Sequence, residues 1–244
     1  MPNGATPPYF DGTPNRYLLG RGSCLWRVHG HKYSARAFKA VPSDPRFGGA
    51  RFDATEADDY PFFYAALDQA TALAEALLRD LDPDDRGMRV LTGAALAGRQ
   101  ISGLTLTRDL QLVSLVSGQD LAAIGQDAWL VTAAGLEYAR TREWGHWLRS
   151  QAKWAHGFVW DSLRDRGGLA VVLFGDRLEA AFGHDYERIL LHEVPELAVS
   201  LDDEDGADWL NGLLGRYRVA VARPQPAGTG KAGTGTGKGG HSRR

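Results

Sequence analysis

The chain has one cysteine, Cys24, in 244 residues. No internal disulfide is possible, and a reducing cytoplasmic setting is the default expectation. Cys24 reads as a small buried apolar residue. Long hydrophobic runs are missing. The longest, Leu169 to Phe174 between glycines, suits a buried strand and falls far short of a membrane span. The N-terminus (Met1-Pro2-Asn3-Gly4-Ala5-Thr6-Pro7-Pro8) has no basic stretch followed by an apolar core, so no signal peptide is expected. Metal motifs are missing as well. The seven histidines contain no H-E-x-x-H, and His192-Glu193 lacks its second histidine. A lone cysteine makes no thiolate cluster, so no metal is expected. The G-x-S-x-G context of a hydrolase nucleophile is absent too.

Excess charge of either sign is also lacking, at −2 overall. The balance is uneven, however. Five basic residues and no acid lie from Arg223 onward, leaving 23 basic against 30 acidic residues, or −7, in the rest. An acidic body argues against a broad nucleic-acid surface. The final stretch, 223–244, is rich in Gly and Thr and has no large apolar residue. It cannot bury enough surface to offset its ordering entropy, and it is predicted to be a disordered basic tail. Its G-x-G-x-x-G at Gly228, Gly230 and Gly233 is a decoy, because no strand precedes it and no helix follows. Residues 1–16 are predicted to be irregular, being rich in Pro, Gly and Asn. The single domain is expected over 17–222.

Strands are predicted at 25–29, near Arg51, and at 62–66, 101–107, 110–116, 158–160, 169–174 and 189–193. Asp68 can cap a helix running to about Leu81, since Asp accepts the first free amide hydrogens. Further helices are expected over 136–155 and 208–214, with a long basic loop over 30–49. Strands and helices do not alternate strictly, so the fold class is α+β, a single mixed domain rather than a doubly wound sheet.

Against this background, several polar residues stand where the local pattern favours apolar ones. Arg27 lies inside Cys24-Leu25-Trp26-Arg27-Val28-His29, and Arg51 follows the glycine pair Gly48-Gly49. Tyr64 sits in Phe62-Phe63-Tyr64-Ala65-Ala66, Glu75 in an alanine-rich helix, and Ser162 closes Gly157-Phe158-Val159-Trp160-Asp161-Ser162. Charge beside core-type segments is paired or used. Two arginines, a carboxylate and a hydroxyl suit a substrate carrying phosphates and a sugar, since guanidinium forks match phosphate oxygens. Each residue also has a plainer account. Glu75 can pair with Arg79 one turn on, Arg51 can be a strand-edge arginine beside a turn, and Arg27 can face solvent. Tyr64 can be a core tyrosine, and Ser162 a turn serine.

In combination and in order, these segments resemble the RES-domain family, over roughly Tyr17 to Val199. Leu25-Trp26-Arg27-Val28 resembles the family's opening strand with its arginine. Gly49-Ala50-Arg51-Phe52-Asp53 is similar to its Gly-Gly-Arg-Trp-Asn signature, with Phe52 for Trp and Asp53 for Asn. Tyr64 and Glu75 keep the family's spacing of eleven residues. The segment 157–162, with the strand to Phe174, resembles the closing Gly-x-x-x-Pro-Ser, with Asp161 for Pro. Ser150 is a rival for the family serine.

The resemblance implies an ADP-ribosyltransferase-like fold and consumption of NAD+ as substrate, by glycohydrolase, phosphorylase or ADP-ribosyl transfer activity. It implies that Arg27 and Arg51 grip the pyrophosphate and that Tyr64 stacks near the nicotinamide ribose. Glu75 would bond the ribose and stabilise the transition state, and Ser162 would orient the dinucleotide. The family includes toxins of bacterial toxin–antitoxin pairs, so a helix-turn-helix antitoxin is the implied partner. Two competing classes remain open at this point. One is a non-enzymatic interaction module on the same fold. The other is a nucleic-acid binder using the basic loop and tail.

Overall fold

The computed structural model describes residues 5–79 and 81–222; the predicted tail 223–244 and residues 1–4 lie outside them. Ten strands occur among the described residues: β1 (Arg16–Leu19), β2 (Cys24–Gly30), β3 (Phe62–Ala66), β4 (Arg89–Leu91), β5 (Arg99–Leu106), β6 (Leu110–Leu115), β7 (Gly157–Asp161), β8 (Leu169–Phe174), β9 (Leu191–Ser200) and β10 (Val219–Val221). Eight α-helices accompany them: α1 (Gln69–Leu77), α2 (Gly93–Leu96), α3 (Gly118–Ala123), α4 (Trp129–Thr132), α5 (Tyr138–Gln151), α6 (Gly175–Phe182), α7 (Tyr186–Leu190) and α8 (Glu204–Leu214). Eight strands form one sheet in the order β1-β6-β7-β8-β3-β2-β5-β9, and β10 pairs with β4 apart from it. Within the large sheet only β6–β7 is parallel. The result is the mixed α+β class, with helices flanking a large sheet.

Strand alternation builds two faces. Along β3, Phe62 and Tyr64 belong to one core with Trp144 and Leu148 of α5, while Phe63 turns to the opposite core with Leu178 of α6. Along β2, Trp26 and Val28 pack beneath α1 and α8, and Leu25 joins Phe63 on the other side. These are the period-two consequences of a pleated strand buried on both faces.

The sheet is weakest in its middle. β2 pairs with β5 at seven residues and β3 with β8 at five, yet β2 and β3 meet only at Trp26 and Ala66. Beyond that pair the facing edges leave backbone groups outside the ladder, where another molecule can satisfy them.

Three expectations need correction. No strand forms near Arg51, which sits in a turn. Helix α1 starts after Asp68 as expected, with the carboxylate accepting from Thr71 N at 2.8 Å, but it ends at Leu77 rather than near Leu81. The strand predicted over 189–193 begins at Leu191 and runs on to Ser200.

Candidate active site

The gap between β2 and β3 opens into a cavity of about 220 Å³. Trp26, Arg27 and Val28 line it from β2, Tyr64 to Ala66 from β3, and Ala72, Glu75, Ala76 and Arg79 from α1 and its end. Ala50, Arg51, Tyr138, Trp160 and Ala170 complete the wall. Four of the five sequence-predicted residues therefore share one hollow, and the fifth, Ser162, touches it through Glu75.

Glu75 is placed by helix geometry. Positions 72, 75, 76 and 79 fall on one face of a helix, and the small alanines leave that face open to the cavity. The Ser162 hydroxyl donates to Glu75 Oε1 at 2.5 Å. Ser162 itself is fully buried, and its oxygen accepts from the amides of Arg164 at 3.1 Å and Asp165 at 3.0 Å. Those amides orient the hydroxyl, which in turn orients the carboxylate. Ser150, the rival serine, is exposed and donates to Trp147 O, one turn back on its own helix.

Arg51 occupies an irregular but strongly held loop. Thr141 Oγ1 donates to Arg51 O at 2.9 Å. Phe52 N donates to the Tyr64 hydroxyl at 3.0 Å, and the Tyr60 hydroxyl donates to Phe52 O at 3.1 Å. The Phe52 ring is fully buried edge-on against Phe158 and Trp160. Gly49 is needed nearby. Its φ is +70°, and a Cβ would stand 2.8 Å from Asp53 Oδ2 and 2.9 Å from Arg142 Nη1. Asp53, in place of the family's asparagine, is buried and accepts from Ser43 Oγ at 2.6 Å and Ala50 N at 3.0 Å. It thereby ties off the turn that presents Arg51.

Burial pushes the Arg51 guanidinium down from its ordinary value, and the Glu75 carboxylate works against that shift. Its Nη2 donates to Ala133 O at 3.0 Å, while its buried Nε finds no partner among the described residues. Trp160 Nε1, also on the cavity wall, is a second buried donor without one. Both atoms are shut inside the wall rather than presented to the cavity, so they are unpaired donors of the wall itself.

Arg27 lines the same cavity from a different direction. Its Nη1 donates to Ala35 O at 3.0 Å and to Ala37 O, and its Cζ lies 4.5 Å from the Phe63 ring centre. Its guanidinium thus leans toward the Phe63 face, whereas Tyr64 and Trp160 pack on the other. Burial pushes it down to about 10, with Glu187 opposing, which leaves it charged at neutral pH. Tyr64 is raised well above its ordinary value, by burial first and then by Asp53, so it is a neutral phenol. Its hydroxyl holds Phe52, and its ring stands edge-on to Trp160 at 6.2 Å.

Sequence reasoning missed Trp26, Tyr138 and Trp160 as wall residues and treated Arg79 only as a partner for Glu75. Arg79 was within reach, since it shares the Glu75 face one turn on. Tyr138 and Trp160 carried no such signal, because an aromatic in an amphipathic segment reads as core.

Among the described residues, no group of three or more His, Cys, Asp or Glu is placed to hold a metal ion, and no helix is long and apolar enough to cross a membrane. The family model for the RES domain matches residues 24–202. No curated protein matches the chain. Among solved structures, the crystal structure of the M. tuberculosis MbcT-MbcA toxin-antitoxin complex is similar, at 14% identity with a TM-score of 0.49, covering 82% of this chain and 91% of that chain.

Proposed function

The chain belongs to the RES domain family, and on that footing we propose that it cleaves the nicotinamide–ribose bond of NAD+. One observation carries this reading: the Glu75 carboxylate, held by Ser162, shares a hollow with Arg27, Arg51 and Tyr64. The hollow is smaller than the roughly 300 Å³ at which small-molecule pockets commonly begin. It suits the nicotinamide–ribose end of the dinucleotide, with the remainder running out along the strand gap.

The chemistry needs little acid assistance. The C–N bond breaks with its electron pair moving to the nicotinamide nitrogen, so a cationic ring leaves neutral. Positive charge develops on the ribose, and a carboxylate fixed beside it stabilises the oxocarbenium-like state, as in glycoside cleavage. Glu75 needs no reorganisation at that moment because Ser162 already holds it. Arg51, on the cavity wall, supplies a guanidinium to ribose or phosphate oxygens. The hydrogen bonds of Arg27 run from Nη1 alone among the described residues, leaving Nη2 and Nε for a phosphate. The acceptor is water, phosphate or a protein side chain; it adds to the anomeric carbon and loses a proton.

The test is nicotinamide release from NAD+ by purified protein, measured by chromatography with water, phosphate and a protein acceptor in separate reactions. Release in any of them that stops with Glu75→Gln is the expected result. No release from the wild type under all three conditions would leave the interaction-module reading in its place. By the same family logic, the chain acts in the cytoplasm as the toxin of a toxin–antitoxin pair, and a helix-turn-helix antitoxin silences it by covering the cavity mouth. Co-expression with the product of the adjacent gene should then abolish NAD+ loss in cells.

A further inference from the structure

A second hollow, of about 300 Å³, lies beyond the C-terminal end of α1. Its lining is Leu78, Arg89, Leu163, Arg164, Arg216, Tyr217 and Arg218, with no residue in common with the first cavity. Four arginines and no acidic residue therefore line one space, in a body whose net charge is −7. Like charges gathered this way repel unless something of opposite sign joins them.

The carboxylates nearby are committed elsewhere. Asp84 Oδ1 accepts from the amides of Arg86 and Met88. Asp165 accepts from the hydroxyls of Tyr217 at 2.7 Å and Thr71 at 2.6 Å. Among the described residues, none of the four arginines forms an ion pair.

Three of the four, Arg89, Arg164 and Arg218, are nonetheless anchored by backbone carbonyls. Arg89 Nε donates to Leu81 O at 3.0 Å, Arg164 Nη2 to Arg79 O at 2.7 Å, and Arg218 Nη2 to Arg86 O at 2.7 Å. Each bond spends one or two of five donors and steadies the group without neutralising it. Arg218, at φ 56°, is the one non-glycine residue with positive φ among those described, and it closes the short 3-10 helix 215–217 as a left-handed cap.

We propose that Arg89, Arg164, Arg216 and Arg218 form a binding site for a small phosphate-class anion, separate from the NAD+ cavity. Planar guanidinium forks match the tetrahedral oxygens of phosphate. Leu78, Leu163 and Tyr217 make the remaining wall apolar, so the site is a hollow for a compact anion rather than a track for a polymer. The same chemistry is offered by free phosphate, pyrophosphate and the terminal phosphates of a nucleotide.

The test is calorimetric titration of the full chain at low salt with orthophosphate, pyrophosphate and ADP. The variants are R216E/R218N, a charge-matched control R21E/R108N, and Arg51→Ala in the other cavity. Asn is chosen at 218 because it tolerates the left-handed region. Saturable binding is expected in the wild type, the control and Arg51→Ala, and at least tenfold weaker binding in R216E/R218N. In the Arg51→Ala background, where the first cavity is weakened, tighter binding of orthophosphate or pyrophosphate identifies a free anion, and tighter binding of ADP a nucleotide phosphate. Three outcomes overturn the proposal: no saturable binding, equal loss in the control, or loss in Arg51→Ala with R216E/R218N unaffected. None of these depends on whether NAD+ is cleaved.

Discussion

Glu75 and Ser162 divide the work at the residue scale, and their variants should separate. Glu75→Gln keeps an acceptor for the Ser162 hydroxyl and removes the charge, so nicotinamide release should stop while stability stays within about 1 kcal/mol in urea melts. Ser162→Ala removes the acceptor for two half-buried amides as well as the donor to Glu75. It should lower kcat while costing about 1–3 kcal/mol, the range for buried groups left unpaired. A Glu75→Gln variant with unchanged turnover would remove Glu75 from the reaction. Arg51→Lys keeps the charge but loses the planar fork. NAD+ KM should rise about tenfold with a smaller change in kcat, as for a lost bidentate contact of ~1.4 kcal/mol.

At the scale of elements, the loop carrying Arg51 behaves as a rigid part despite lacking regular structure. Arg142 of α5 donates to Gly48 O at 2.8 Å and Pro45 O at 3.2 Å, while Asp53, Tyr60, Tyr64 and Thr141 fix the remainder. Gly49→Ala would set a Cβ against Asp53 and Arg142 in a left-handed conformation. A loss of about 1–3 kcal/mol is expected in denaturant melts, with weaker NAD+ binding as Arg51 shifts. Local sequence predicted a strand here because apolar residues flank Arg51. The turn prevails because Phe52 is buried between α5 and β7, an arrangement set by residues about a hundred positions downstream. Helix α1 was legible because its signals are local: an Asp cap, then a run of helix-favouring alanines and leucines.

For the whole molecule, the seam between β2 and β3 is both the site and the thinnest join of the sheet. A ligand bridging both strands should stabilise the entire domain. With the inactive Glu75→Gln variant, NAD+ at about 100 times its Kd should add about 2.7 kcal/mol, read as a rise in Tm. Stability should also depend on pH through His29, His146 and His156, each pushed below its ordinary value by burial. The unfolded chain then takes up protons first as pH falls through 6.5, so stability should be full above that value and decline below it. Melting at pH 7.5 and 5.5 tests this, and an unchanged Tm would refute it.

By itself, the sequence determined the strands that are continuous apolar runs, the capped helix and the order of the polar residues along the chain, because each depends on near neighbours and on strand or helix periodicity. It also placed Arg27 and His29 on the Leu25 face of their strand. Only the tertiary structure decided that β2 and β3 part after one residue pair, that Ser162 rather than Ser150 reaches Glu75, and that Arg27 leans to the face opposite Tyr64. It alone gathered Arg89, Arg164, Arg216 and Arg218 around one hollow. These are contacts between segments far apart in the chain, set by how sheet and helices pack together, and no local pattern encodes them.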